Sequence, residues 1–128
     1  MYLLLDTSTP TCKLTLMQGD NRFVYEWEAH RQLAHGLLAF LSEKTAEHGV
    51  SLSKIAGVGA YKGPGSFTGL RIGLTVVNTL ADTKGLQIVG ETGEQWMDTA
   101  LLRLKSGEND QLVMPFYGAE AHITTPRK

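Results

Sequence analysis

The sequence has a single cysteine, Cys12, among 128 residues. Intramolecular disulfides and thiolate-rich zinc sites are therefore excluded. Charge of one sign is not in excess, since 12 Lys and Arg stand against 13 Asp and Glu for a formal net charge of −1. That balance offers no broad electropositive face for a nucleic-acid backbone. No apolar run approaches the ~20 residues that a membrane span needs. Met1-Tyr2-Leu3-Leu4-Leu5 meets Asp6 at once, without a basic leader. This speaks against a secretory signal and for a cytoplasmic protein. Internal repeats and low-complexity tracts are absent, and the length falls short of two full-sized lobes with a cleft between them. What remains is ordinary: 42% hydrophobic and 20% charged residues, the composition of one globular domain long enough to bury a core.

The pattern along the chain predicts an α/β fold. Tyr2 to Leu5 is a short apolar run that feeds the polar turn Asp6-Thr7-Ser8-Thr9-Pro10. Cys12 to Met17 and Phe23 to Trp27 both alternate, and Gly19-Asp20-Asn21 lies between them, which predicts a β-hairpin. Leu33, Leu37 and Leu41 recur at four residues, so a helix is expected from about Leu33 to His48, stopped by Gly49. A small-residue strand, Ile55 to Tyr61, precedes a second helix from about Ser66 to Lys84 that ends at Gly85. Leu86 to Val89 reads as a strand, Glu94 to Lys105 as a third helix, and Leu112 to Tyr117 as a last strand before a tail that is expected to be loose after Thr124. A hairpin followed by β-α units implies a mixed sheet with helices on its faces. Residues 1–110 form the predicted lobe, and 111–128 its terminal strand and tail.

The most informative string is Gly63-Pro64-Gly65-Ser66-Phe67-Thr68-Gly69-Leu70-Arg71-Ile72-Gly73. Its glycines allow a tight strand-to-helix turn, and Ser66 is suited to cap the helix. A helix start also favours anions, although a bare cap is the commoner meaning. The Gly-Lys-Ser/Thr ending of a P-loop is missing. On a helical wheel, Phe67, Leu70, Leu74, Val77 and Ala81 make one apolar stripe, and Gly69, Gly73, Val76 and Leu80 make a second, with Ile72 beside it. The polar residues Thr68, Arg71, Thr75, Asn78 and Asp82 fill the remaining sector. A surface helix needs one stripe, and a small domain has little room to bury two. The second stripe is therefore expected to meet a helix of a partner.

Asp6-Thr7-Ser8-Thr9 has two readings, a vestigial phosphate loop or a side-chain turn closing the strand. His30 and His35 are five residues apart and make no zinc pair. Trp27 and Trp96 suit the core, and so does Cys12, which lies in the apolar phase of its strand.

Together, the Asp6-Thr7-Ser8-Thr9 turn, the Gly63 to Gly73 string, and Arg31 and His35 by the first helix resemble the TsaB (YeaZ) family. The resemblance covers about residues 1–93. It implies a ribonuclease-H-like lobe of the actin, Hsp70 and sugar-kinase type, in the order βββαβαβα. It implies a subunit without catalytic activity that pairs with TsaD through the first two helices, in the machinery for tRNA threonylcarbamoyladenosine. The interface positions it implies are His35, Leu38, Phe67, Gly69, Leu70, Ile72, Gly73 and Val76. It also implies self-association through the same helices, TsaE as a further partner, only indirect contact with tRNA, and no membrane. No intrinsic cofactor or metal is expected, with ATP or ADP bound only at a joint with a partner. Most members of the family carry a second lobe after the third helix, and with about twenty residues remaining there that lobe is expected to be absent here.

The competing class is an enzyme of the same fold, a phosphotransferase or a nuclease. A two-metal nuclease needs converging carboxylates. Asp6 could supply one, but the strand ending at Tyr61 has no acid at its tip, and Asp82 is near the far end of the second helix. A phosphotransferase needs a second lobe to close over its nucleotide.

Overall fold

The computed structural model describes residues 1–117. Strand β1 (Tyr2–Asp6) is buried on both sides, which explains a run of consecutive apolar residues rather than an alternating one. Strands β2 (Thr11–Gln18) and β3 (Asn21–Glu28) form the hairpin, with Gln18 opposite Asn21 and Thr11 opposite Glu28. Gly19, at φ +63°, supplies the positive φ that a two-residue turn requires at its first position. Strand β4 (Gly57–Tyr61) runs parallel to β1, and β5 (Gln87–Glu91) runs parallel to β4. The five-stranded sheet has the order β3-β2-β1-β4-β5.

Helices α1 (Leu33–Ala46) and α2 (Phe67–Lys84) cover one face, and α3 (Trp96–Lys105) covers part of the other. The alternation of β1 divides the core between them. Leu3 and Leu5 join Leu37, Leu41, Val77 and Ile88 under α1 and α2, whereas Leu4 joins Val89, Ala100 and Leu104 under α3. Each fully buried leucine of this kind contributes roughly 1.5–3 kcal/mol. The expected elements are present up to α3, with ends shifted by a residue or two. Ser66 caps α2 by accepting from the Gly69 N–H, and Gly85 ends it at φ +66°. No described helix is long and apolar enough to cross a membrane.

The strand expected at Leu112–Tyr117 does not form, and residues 108–117 make an irregular strap across the ends of β4 and β5. The strap is held by side chains instead of a ladder. Asn78 on α2 donates to the Val113 carbonyl and accepts from the Val113 N–H, both at 2.9 Å. The Asp110 N–H donates to the Ile88 carbonyl, and the Phe116 N–H to the Lys62 carbonyl, both at 2.7 Å. Pro115 has no N–H to extend a ladder. Val113 is buried over Gly90, where a Cβ would collide with it. The expected tail after Thr124 lies outside the described residues. Replacing Asn78 with Ala should strand both Val113 backbone groups, lowering stability by about 1–3 kcal/mol. A urea titration checks this, and a variant as stable as the parent would mean the strap is not fixed to α2.

Candidate partner face and the loop after the first strand

The loop from Asp6 to Thr9 spends its polar groups on its own fold. Asp6 Oδ1 accepts from the Ser8 N–H at 2.8 Å, and Thr9 Oγ1 donates to the Thr11 carbonyl at 3.0 Å. Thr7 is buried and donates from Oγ1 to the Gly69 carbonyl at 2.8 Å. The Ser66 N–H donates to the Ser8 carbonyl at 2.8 Å. The Ser8 and Ser66 N–H groups that could face a phosphate are thus paired within the chain. Of the two readings, this geometry favours the side-chain turn that clamps β1 to the start of α2.

Nearby groups are not primed for nucleophilic chemistry. Burial pushes the Cys12 thiol up to about 12, and the charge of Asp6 adds to that, so no thiolate is at hand near neutral pH. Burial, and then Asp6, also raises the Tyr61 hydroxyl, which donates to the Pro64 carbonyl at 3.0 Å. Among the described residues, no group of three or more His, Cys, Asp or Glu side chains could hold a metal ion.

The structure separates the eight interface positions into two sets. Leu70 and Gly73 are buried inside the chain, so as it stands they are not available to a partner. A Cβ on Gly73 would overlap the Thr7 side chain, and one on Gly69 would overlap the Thr7 carbonyl oxygen. The two glycines therefore admit the loop after β1, which corrects the expectation that they admit a partner's helix. Leu80 of the second stripe is buried as well. Room for two stripes comes from α1 beside α2 and from the strap at Asn78.

Outward-facing positions remain. Leu38 is 55% exposed and Phe67 54%. His35 is exposed and Ile72 and Val76 are half-buried, whereas the half-buried Gly69 turns its Cβ direction to the Thr7 carbonyl. A groove of about 470 Å³ runs between the two helices, lined by Ala34, Thr68, Arg71, Ile72, Thr75 and Val76. Ala34, Thr68, Arg71 and Thr75 were not among the expected interface residues, although the last three filled the polar sector of the wheel. The Arg71 guanidinium stands 5.2 Å from the centre of the Phe67 ring, which also packs against Tyr117 at 4.7 Å between ring centres. The face is thus a pair of helices with an apolar edge and one cation.

Comparison with known proteins fits this geometry. A family model described as TsaD, tRNA N6-adenosine threonylcarbamoyltransferase, matches residues 26–97. The tRNA threonylcarbamoyladenosine biosynthesis protein TsaB of Haemophilus influenzae is 32% identical over 108 residues, 84% of this chain and 45% of that protein. TsaB of Escherichia coli is 30% identical over 69% of this chain and 38% of its own length. YeaZ from Pseudomonas aeruginosa superposes with a TM-score of 0.66 at 32% identity, over 71% of this chain and 43% of that one. The chain spans less than half the length of these relatives. The family model takes in more than half of the 128 residues, and the relatives matched at 30–32% identity are TsaB and YeaZ, so the chain belongs to the TsaB (YeaZ) family.

Proposed function

We propose that the chain is a scaffolding subunit without catalytic activity of its own, which binds and stabilises a TsaD catalytic subunit in the formation of tRNA threonylcarbamoyladenosine. The observation that carries this reading is the outer face of α1 and α2, where Leu38 and Phe67 are more than half exposed beside a groove. Apolar side chains grouped on one face favour a protein partner over solvent. The names of the relatives place them in the same modification pathway. On this reading tRNA is met only through the partner, and ATP or ADP binds only at the joint. TsaE is a further partner, and a second copy can compete for the same helices. The protein works in the cytoplasm.

Leu38→Asp tests the interface without touching the core. Co-expressed with TsaD, the parent chain is expected to elute as a complex by size-exclusion mass measurement. The variant should elute alone while its thermal midpoint stays unchanged, because an exposed substitution shifts stability by no more than about 0.5 kcal/mol. A complex that survives Leu38→Asp and a second charge at Val76 would place the interface elsewhere. Turnover of ATP or cleavage of RNA by the purified chain alone would favour the enzyme reading instead.

A further inference from the structure

Arg71 borders two grooves at once. Beside the groove between α1 and α2 lies a second one, of about 510 Å³, between α2 and the strap. Arg71 lines both, and among the described residues no other charged side chain lines either. Nor is any carboxylate of the described residues within ion-pair distance of it. The acids of the two helices lie elsewhere. Glu43 faces the groove between α1 and β3. Asp82 is three turns further along α2, about 16 Å at the rise of a helix.

This exposed arginine is nonetheless held in place. Its guanidinium lies over the Phe67 ring at 5.2 Å, and Tyr117 packs against that ring at 4.7 Å between centres. Phe67 stands one helical turn before Arg71, so α2 itself sets the pair. The face of an aromatic ring attracts a cation. A guanidinium already oriented by this stack loses less freedom when it forms a new bond. Thr68 and Thr75, one turn to either side, line the same groove.

We propose that Arg71 is a specificity-determining residue of the partner face, and that it takes a carboxylate from the TsaD helix that docks there. This rests on the reading of the chain as a TsaD-binding subunit. A helix seated over Leu38, Ile72 and Val76 takes water from the Arg71 guanidinium as well. Burying that charge without a counter-charge is costly. An Asp or Glu of the partner at this point removes the cost, and the planar fork holds both carboxylate oxygens. A partner with an apolar or basic side chain there is rejected. A phosphate fits less well, because nucleotide and nucleic-acid sites gather several cations or backbone N–H groups. Here one cation stands among Ala34, Ile72 and Val76.

Titration calorimetry of the full chain with purified TsaD, at low and at high salt, tests this. Arg71→Met should weaken binding about tenfold or more at low salt. The loss should shrink at high salt, where screening already weakens the parent. Arg71→Lys should fall between the two. Arg71→Glu should bind more weakly still, and reversing one Asp or Glu on the docked surface of TsaD to Arg should restore it. Phe67→Leu keeps an apolar contact but removes the ring, so it should cost less affinity in the Arg71→Met background than in the parent. The Arg71 variants should keep the parent's thermal midpoint, because the side chain is exposed. If Leu38→Asp abolishes the complex while Arg71→Met binds like the parent at both salts, the face is right and the proposal is overturned. Failure of every acid reversal to rescue Arg71→Glu overturns it too. So does a loss of ADP or tRNA binding with TsaD affinity unchanged, which would assign the guanidinium to a phosphate. A parent that does not bind TsaD overturns the functional reading and the proposal together.

Discussion

Gly73→Ala is expected to destabilise the chain by about 2 kcal/mol, and Gly73→Trp to unfold it. At an exposed site in the middle of a helix the first substitution has the opposite sign, gaining up to about 1 kcal/mol in helix propensity. Here the new methyl group would enter space held by the Thr7 side chain. Thr7 cannot simply rotate away, because it is buried and its hydroxyl is bonded to the Gly69 carbonyl. Overpacking of this kind costs about 1–3 kcal/mol, and loss of the hydrogen bond adds about 1 kcal/mol. Together these outweigh the propensity gain. A double-mutant cycle isolates the contact. Thr7→Ala loses the hydrogen bond but removes the two closest atoms and leaves only its Cβ, 2.9 Å from the new methyl position, so the pair T7A/G73A should cost less than the two single changes added together. Urea midpoints of the four proteins measure this. If Gly73→Ala stabilises the chain, the loop after β1 does not pack on α2 as described.

The same two glycines show where the sequence stops being legible. Ser66 and Gly85 mark the ends of α2 because a cap and a positive φ are local properties. The hairpin is equally local, set by Gly19 between two alternating strands. The continuous apolar run of β1 announces burial on both faces, and Leu3 and Leu4 do belong to opposite halves of the core. A bare stripe such as Gly69 and Gly73 says that something comes close, but not what. The answer, Thr7, is 62 residues away in sequence from Gly69. The strap has the same character. Asn78 reads as one more polar residue on an outer face, yet it fixes Val113 from 35 positions away. Leu112 to Tyr117 has the composition of a strand but meets side chains instead of a free edge. Of the positions expected at a partner, Leu38, Phe67, Ile72 and Val76 reach the outside, whereas Leu70 and Gly73 do not.

Arg103→Met should cost about 3 kcal/mol at neutral pH, with a dependence on acid that identifies charge as the cause. Arg103 is mostly buried between α3 and the end of β5, with 21% of its side chain exposed. Its Nε pairs with Glu108 and one terminal nitrogen with Glu91, both at 2.8 Å, while the other terminal nitrogen bonds Asp110. Methionine keeps most of the packing but leaves three carboxylates together without their cation. Stranding one side of a buried ion pair costs about 3–5 kcal/mol, and the low end applies because Glu108 is half exposed. Lysine keeps the charge but not the planar fork, so Arg103→Lys should fall between the two. Burial pushes the Asp110 carboxyl up, but its bond from the Gly90 N–H and the Arg103 guanidinium outweigh this and hold it below the usual range. A carboxyl lowered in the folded state contributes stability that is full above its unfolded value, about 3.9, and is lost as the pH falls through the lower folded value. The parent should therefore lose stability in that acid window. In Arg103→Met, protonation relieves the crowded carboxylates, so the gap between variant and parent should narrow from pH 7 to pH 3. Urea titrations at the two pH values read the gap directly. A gap that does not change with pH would mean that Arg103 acts through packing alone, and the strap would then be held by Asn78 and Val113 without help from the charges.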